Sequence, residues 1–239
     1  MFKKIGLGLA ILGGASLGVY LRFIRPWQLR WGATDEEVAR AMPGDDVVKR
    51  PTFNATRAIT IRARPEEIWP WIVQIGFGRA GFYSYDLLDN LGKPSADRII
   101  LELQQIEVGT WIPMSGKVTE ETAFRVMAFE PNQWMLWKKA ASTWAWKLIS
   151  IDEEHTRLII RLKCHYRWAR PTILTDLILM EIGDFPMMRK CLLGIEQRAE
   201  MLAAERTRKA ATGQPGISDV VVSDGDRGEV TANKGAGNA

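Results

Sequence analysis

The chain opens with an uncharged apolar run, Ile5 to Leu21, set between Lys3-Lys4 and Arg22. As a helix this run spans about 25 Å, enough to cross a hydrocarbon core with some thinning. Gly13 and Ala15 offer a small-residue cleavage site, but the run continues to Leu21, which favours an uncut anchor over a cleaved leader. Residues 32–54 are polar and turn-rich, with Pro43-Gly44-Asp45-Asp46 as a turn signal. Within them, Thr34 followed by Asp35-Glu36-Glu37 predicts a capped short helix through Met42. Ala58 to Ala63 then alternates as a strand with Ile59, Ile61 and Ala63 on one face. Pro65-Glu66-Glu67 opens a helix whose apolar face is Ile68, Trp71, Ile72 and Ile75, and Gly76 ends it. A short helix follows over Tyr85 to Leu91.

Strand periodicity governs the centre. Thr110–Met114, Ala123–Phe129, Trp134–Lys139, Thr143–Ile151 and Thr156–Trp168 are separated by turn clusters such as Glu130-Pro131-Asn132. In the last strand Leu158, Ile160, Leu162, Cys164, Tyr166 and Trp168 share one face. Arg157, Arg161, Lys163, His165 and Arg167 share the other, with Ile159 out of place. That predicts an antiparallel sheet with one dry and one wet face, its long charged strand forming an edge. Pro171 to about Arg206 reads as helix, with a kink or break expected at Gly183-Asp184-Phe185-Pro186 and Asp184 capping the second piece. Phe185, Met188, Leu192, Ile195, Ala199 and Leu202 form its apolar stripe. From Thr207 onward there are no aromatic residues, and a disordered tail is expected. One long helix across the dry face of a curved sheet encloses volume between the two, a ligand pocket if side chains leave it open.

Charge changes the picture at one end only. The net charge is +4, yet residues 1–31 carry five basic residues and no acid, leaving the body at −1. A nucleic-acid-binding body would carry its positive charge on the fold, so that class is set aside. The basic residues, with Trp27 and Trp31, suit a headgroup-level belt beside an anchor, and they do not fix its orientation. Gly6, Ala10, Gly14 and Gly18 make a small-residue stripe of the kind that permits helix pairing in lipid. Two cysteines and two histidines are too few for a disulfide scaffold or a His-rich metal centre.

Ten tryptophans are the compositional anomaly. Trp71, Trp111, Trp137, Trp144, Trp146 and Tyr166 are candidates to line the pocket, with core packing as the competing role for each. Phe185 and Met188 would face it from the helix. Gly76-Phe77-Gly78-Arg79-Ala80-Gly81 follows a helix and lacks a Lys-Ser/Thr ending, which excludes a phosphate loop. Arg79, Tyr83 and Tyr85 could hold the polar end of a ligand; the alternative is an Arg–Asp bridge with Asp86 or Asp89 and phenols satisfying backbone. Neither a Ser-His-Asp nor a Cys-His set is apparent.

The element order, with Trp31-Gly32-Ala33-Thr34, Gly78-Arg79-Ala80-Gly81-Phe82-Tyr83-Ser84-Tyr85-Asp86-Leu87-Leu88-Asp89-Asn90-Leu91, Ser95-Ala96-Asp97-Arg98-Ile99 and Gly194-Ile195-Glu196-Gln197-Arg198-Ala199-Glu200, resembles the SRPBCC superfamily. This is the helix-grip group of START-like and polyketide cyclase-like proteins; within it the chain looks like a membrane-anchored bacterial branch. The resemblance implies an α+β helix-grip fold, a hydrophobic cavity between sheet and C-terminal helix, and no metal or nucleotide cofactor. The expected organisation is an anchor over residues 1–31, a linker over 32–54, the helix-grip domain over 55–206 and a tail over 207–239. The expected protein is single-pass in a bacterial cell membrane and binds an apolar small molecule or lipid. The alternative is a cofactor-independent cyclase- or aromatase-like enzyme in which Arg79, Tyr83 and Tyr85 polarise carbonyls.

Overall fold

A computed structural model describes residues 13–166, Trp168, Pro171 and residues 173–212. Helix α1 (residues 13–29) contains a π-helical turn at Tyr20–Ile24. Residues 5–12 of the apolar run, with Gly6 and Ala10, lie outside the described residues. Among those described, no helix is long and apolar enough to cross a membrane. Gly14 and Gly18 sit on α1 with open space beside them.

Helix α2 (Asp35–Ala39) is shorter than expected but carries the full capping box: Glu37 N–H donates to Thr34 Oγ1, and Thr34 N–H donates to the Glu37 carboxylate. Strand β1 (Phe53–Ile61) precedes α3 (Pro65–Val73). The short α4 (Asp86–Asp89) follows, then β2 (Trp111–Pro113), β3 (Ala123–Glu130), β4 (Trp134–Lys139), β5 (Ser142–Ser150) and β6 (Thr156–Cys164). The six strands form one antiparallel sheet in the order β1-β6-β5-β4-β3-β2. Helix α5 (residues 173–212) comprises Ile173–Ile178, a π-helical turn at Leu179–Gly183, and Asp184–Thr212.

Three expectations change. The charged strand β6 is interior to the sheet, flanked by β1 and β5. The predicted break before Pro186 is a π turn in which Asp184 N–H reaches back to the Leu179 carbonyl, so the helix absorbs the proline without ending. Helix α5 also runs to Thr212, past the expected end near Arg206.

The outer sheet face, expected to be wet, is covered by the 32–47 segment. Met42 packs there with Ala58, Leu136, Ala145 and Ile159, which explains why Ile159 interrupted the charged register of β6. The basic residues of β6 are clamps: Arg157 Nε meets Glu37 Oε1 at 2.7 Å, and Lys163 Nζ meets Asp45 Oδ1 at 2.7 Å. Arg161, only 5% exposed, donates to Thr56, Asp45 and the carbonyls of Glu37, Val38 and Arg40. Five acceptors on one guanidinium satisfy a cation that burial would otherwise penalise.

Candidate functional site

The inner face of the sheet and α5 enclose the main core. Cross-strand register sets its aromatic rows: Trp137 of β4 lies opposite Trp144 of β5, which lies opposite Leu162 of β6. In the next row Met135, Trp146, Ile160 and Arg57 follow one another across the sheet. Trp144 and Trp146 stack at 4.8 Å, and Trp137 meets each at 5.2 Å. From α5, Met188, Leu192, Ile195 and Ala199 join this cluster, as does Trp71 of α3. Side chains thus pack the space in which the sequence places a cavity.

Donor satisfaction in this core is uneven. Trp137 Nε1–H reaches Met135 Sδ at 2.7 Å. The indole N–H groups of Trp71, Trp144 and Trp146 are sealed from solvent and have no protein acceptor. Buried indole donors ordinarily find partners, and each exception costs roughly 1–3 kcal/mol. Two of the three indoles in the aromatic rows, Trp144 and Trp146, are exceptions of this kind, as is Trp71 on α3.

Beside the aromatic rows sits a buried ion pair that strand periodicity had hidden. Arg57, 1% exposed, points from β1 into the core, and its Nη1 lies 2.7 Å from Asp184 Oδ2. Its Nε–H donates to the Gln28 carbonyl at 2.8 Å, and its guanidinium lies over the Phe185 ring. Burial pushes the Asp184 carboxyl up, with Arg57 opposing that shift. Asp184, expected as a helix cap, is therefore the counter-ion of a core arginine. The signal was available: Arg57 holds the same parity as Ala55, Ile59 and Ile61, and starting β1 at Ala58 removed it from view.

The remaining predicted residues separate. Arg79 forms no bridge to Asp86 or Asp89; it donates to the carbonyls of Val73 (3.0 Å) and Ile75 (3.1 Å), closing the C-terminal end of α3. Burial lowers its guanidinium from the usual arginine value. Tyr83 donates its hydroxyl to the Trp71 carbonyl and accepts from Gln74, which is itself fully buried. Asp86 accepts from Ser95 Oγ at 2.5 Å. A Cβ at Gly194 would overlap the Tyr83 carbonyl oxygen, so this glycine is what lets α5 close onto the motif. The residues 79–95 are thus a strut between α3 and α5. Tyr85 is exposed, under the Lys190 ammonium, and Trp111 sits on edge strand β2 under Arg125. Tyr166 and Phe185 belong to the junction of α5 with α1. Tyr166 donates to Glu181 Oε1 at 2.9 Å, and Phe185 packs edge-on against Trp27 at 4.9 Å. Burial pushes the Asp89 carboxyl in α4 up, the Ser84 hydroxyl partly offsetting it.

A six-stranded antiparallel sheet closed over one long C-terminal helix, with a small helical insertion after the first strand and helix, matches the expected architecture. The fold is a helix grip. No family model matches the chain, and no curated protein matches it. Solved structures do align with it. The protein MLL2253 from Mesorhizobium loti is 16% identical, the match covering 62% of this chain and 97% of that one at a TM-score of 0.36. The Polyketide_cyc-like protein Cgl2372 from Corynebacterium glutamicum is 16% identical over 74% and 97%, TM-score 0.30. The self-sacrificing resistance protein CalC from Micromonospora echinospora is 7% identical over 62% and 94%, TM-score 0.36.

Proposed function

We propose that this chain is a membrane-anchored SRPBCC-type protein that takes up an apolar, planar small molecule bearing hydrogen-bond acceptors between its sheet and C-terminal helix. One observation carries the reading: the buried indole N–H groups of Trp144 and Trp146 in the aromatic rows, and of Trp71 on α3, have no acceptor within the protein. The stacked pair Trp144–Trp146 supports a planar guest, which would replace ring–ring contact with ring–guest contact. Entry requires α5 to lift from the sheet, because side chains fill the interval. The anchor rests on the apolar run Ile5 to Leu21 and its basic flanks. Against the enzymatic alternative, Arg79 and Tyr83 donate to backbone carbonyls, and Tyr85 lies exposed under Lys190, away from the core.

Native mass spectrometry of the full chain, released from nanodiscs after expression in a bacterial host, tests this reading. A co-purifying apolar mass that contains carbonyl or phenolic oxygen is expected, and its loss in a Trp144→Phe, Trp146→Phe double variant ties it to the site. A bare chain mass under all conditions would count against uptake.

A further inference from the structure

Seven of the first ten residues of α5 are apolar, the others being Thr175, Asp176 and Glu181, and the apolar ones are not confined to the core side. Ile173, Leu177 and Met180 pack against the main core, while Leu174, Ile178 and Ile182 project outward and are 67%, 54% and 64% exposed. The outward set recurs every fourth residue, so it forms a continuous stripe along the helix. An exposed apolar stripe of this length marks a surface that something else covers.

What adjoins the stripe identifies the cover. Glu181 is turned toward α1, where it accepts from Arg25 Nε at 2.6 Å and from Arg25 Nη2 at 2.9 Å; the Tyr20 hydroxyl donates to its backbone carbonyl at 2.7 Å. Burial pushes the Glu181 carboxyl up, but the hydrogen bonds from Arg25 and Tyr166 hold it on balance below the usual carboxylate range. The α1 helix so joined also exposes apolar side chains, Leu17, Leu21 and Phe23, and leads back into the apolar residues 5–12. Two largely exposed tryptophans flank the joint: Trp27 packs on Phe185, and Trp168 sits edge-on to Tyr166. Exposed cations follow on the same two helices: Arg22 on α1 over the Phe23 ring, and Arg189 and Lys190 on α5 over Trp31 and Tyr85. Apolar stripe, flanking tryptophans and peripheral cations are the parts of an interfacial membrane contact with anionic headgroups.

We propose that residues 173–182 form a second membrane contact: the start of α5 lies in the interface of an anionic bilayer, clamped to α1 through Glu181, so that the domain is seated on the membrane rather than hanging from a single tether. This deepens the anchored reading and rests on it. It also places the end of α5 that must lift for ligand entry against lipid.

The test uses the full chain in vesicles of phosphatidylcholine with a minority of phosphatidylglycerol, carrying brominated acyl chains. Single cysteines at Leu17→Cys, Leu174→Cys, Ile182→Cys and Met201→Cys are labelled with an environment-sensitive fluorophore. The background is Cys164→Ser with the buried Cys191 retained, and the unsubstituted parent serves as the labelling blank. Met201 is exposed and lies about 28 Å further along the helix from Ile182. All four positions are exposed, so substitution leaves the core intact. Bromine quenching at Leu174 and Ile182 at least half that at Leu17, with none at Met201, is the expected result. Quenching at Leu17 alone would overturn the second contact while leaving the anchor. Absence at all positions would remove the anchor and the contact together. Blue-shifted labels at Leu174 and Ile182 that lipid bromines do not quench would show that protein, such as a second copy of this chain, covers the stripe, and would likewise overturn the proposal.

Discussion

The two faces of the sheet handle polar groups in opposite ways. On the outer face, the guanidinium of Arg161 has five acceptors, and Arg157 and Lys163 are each matched to a carboxylate from the 32–47 segment. On the inner face, Arg57 and Asp184 form a close ion pair at 2.7 Å, but the indoles of Trp71, Trp144 and Trp146 leave their N–H groups without an acceptor. Stability alone accounts for the outer arrangement. The inner one carries a cost that stability does not recover, and a guest with acceptors would.

That contrast predicts a gradient of effects. The largest belongs to Arg57→Met, which strands the Asp184 carboxylate in the core and should lower unfolding free energy by about 3–5 kcal/mol. Adding Asp184→Leu should restore most of it, because an apolar pair of similar volume replaces the ion pair; denaturant titration of both variants measures this. On the outer face, Arg161→Met should cost about 2–3 kcal/mol, since it orphans several acceptors, Asp45 among them, that retain partial access to water. A smaller effect is pH-dependent. Hydrogen bonding from Arg157 holds the Glu37 carboxyl below its usual range; for Asp45, burial pushes upward, but Lys163 and the Met42 amide bring it below. Carboxylates depressed in the folded state contribute stability above their unfolded pKa and lose it as pH falls through the depressed values. Acid titration of stability should therefore flatten in a Glu37→Gln, Asp45→Asn variant. The smallest stability change is expected for Trp144→Phe, because lost ring volume and removal of the orphaned indole N–H oppose each other, yet this substitution should weaken binding of an acceptor-bearing guest by about fivefold.

The sheet was legible in the sequence because alternation is a local signal. The five strands from Trp111 to Cys164 sit within a few residues of their predicted positions. Partnerships were not legible, because they join distant residues. Arg157 and Glu37 are separated by 120 positions, and Arg25 and Glu181 by 156, so from sequence the charges of β6 read as solvated and Glu181 as an acid that could face the cavity. In the candidate site, Trp71, Trp137, Trp144, Trp146 and Met188 share one buried core. Arg79 and Tyr83 were chosen for their chemistry, but polar groups at a helix terminus are as readily drawn to its free carbonyls, and these were. Arg57 falls outside the alternation that begins at Ala58, although β1 itself begins at Phe53.

The comparison of faces is tested most directly by a matched pair of probes against the full chain in nanodiscs: dimethylnaphthoquinone, which carries two carbonyl acceptors, and dimethylnaphthalene, which has the same shape without them. Tryptophan fluorescence reads binding, and empty nanodiscs correct for partitioning into lipid. If the orphaned indoles await an acceptor, the quinone binds at least about fivefold tighter, the equivalent of one hydrogen bond, and Trp144→Phe narrows that gap. Equal binding of both, or binding of neither, would mean that the tryptophans of the inner face are packing alone.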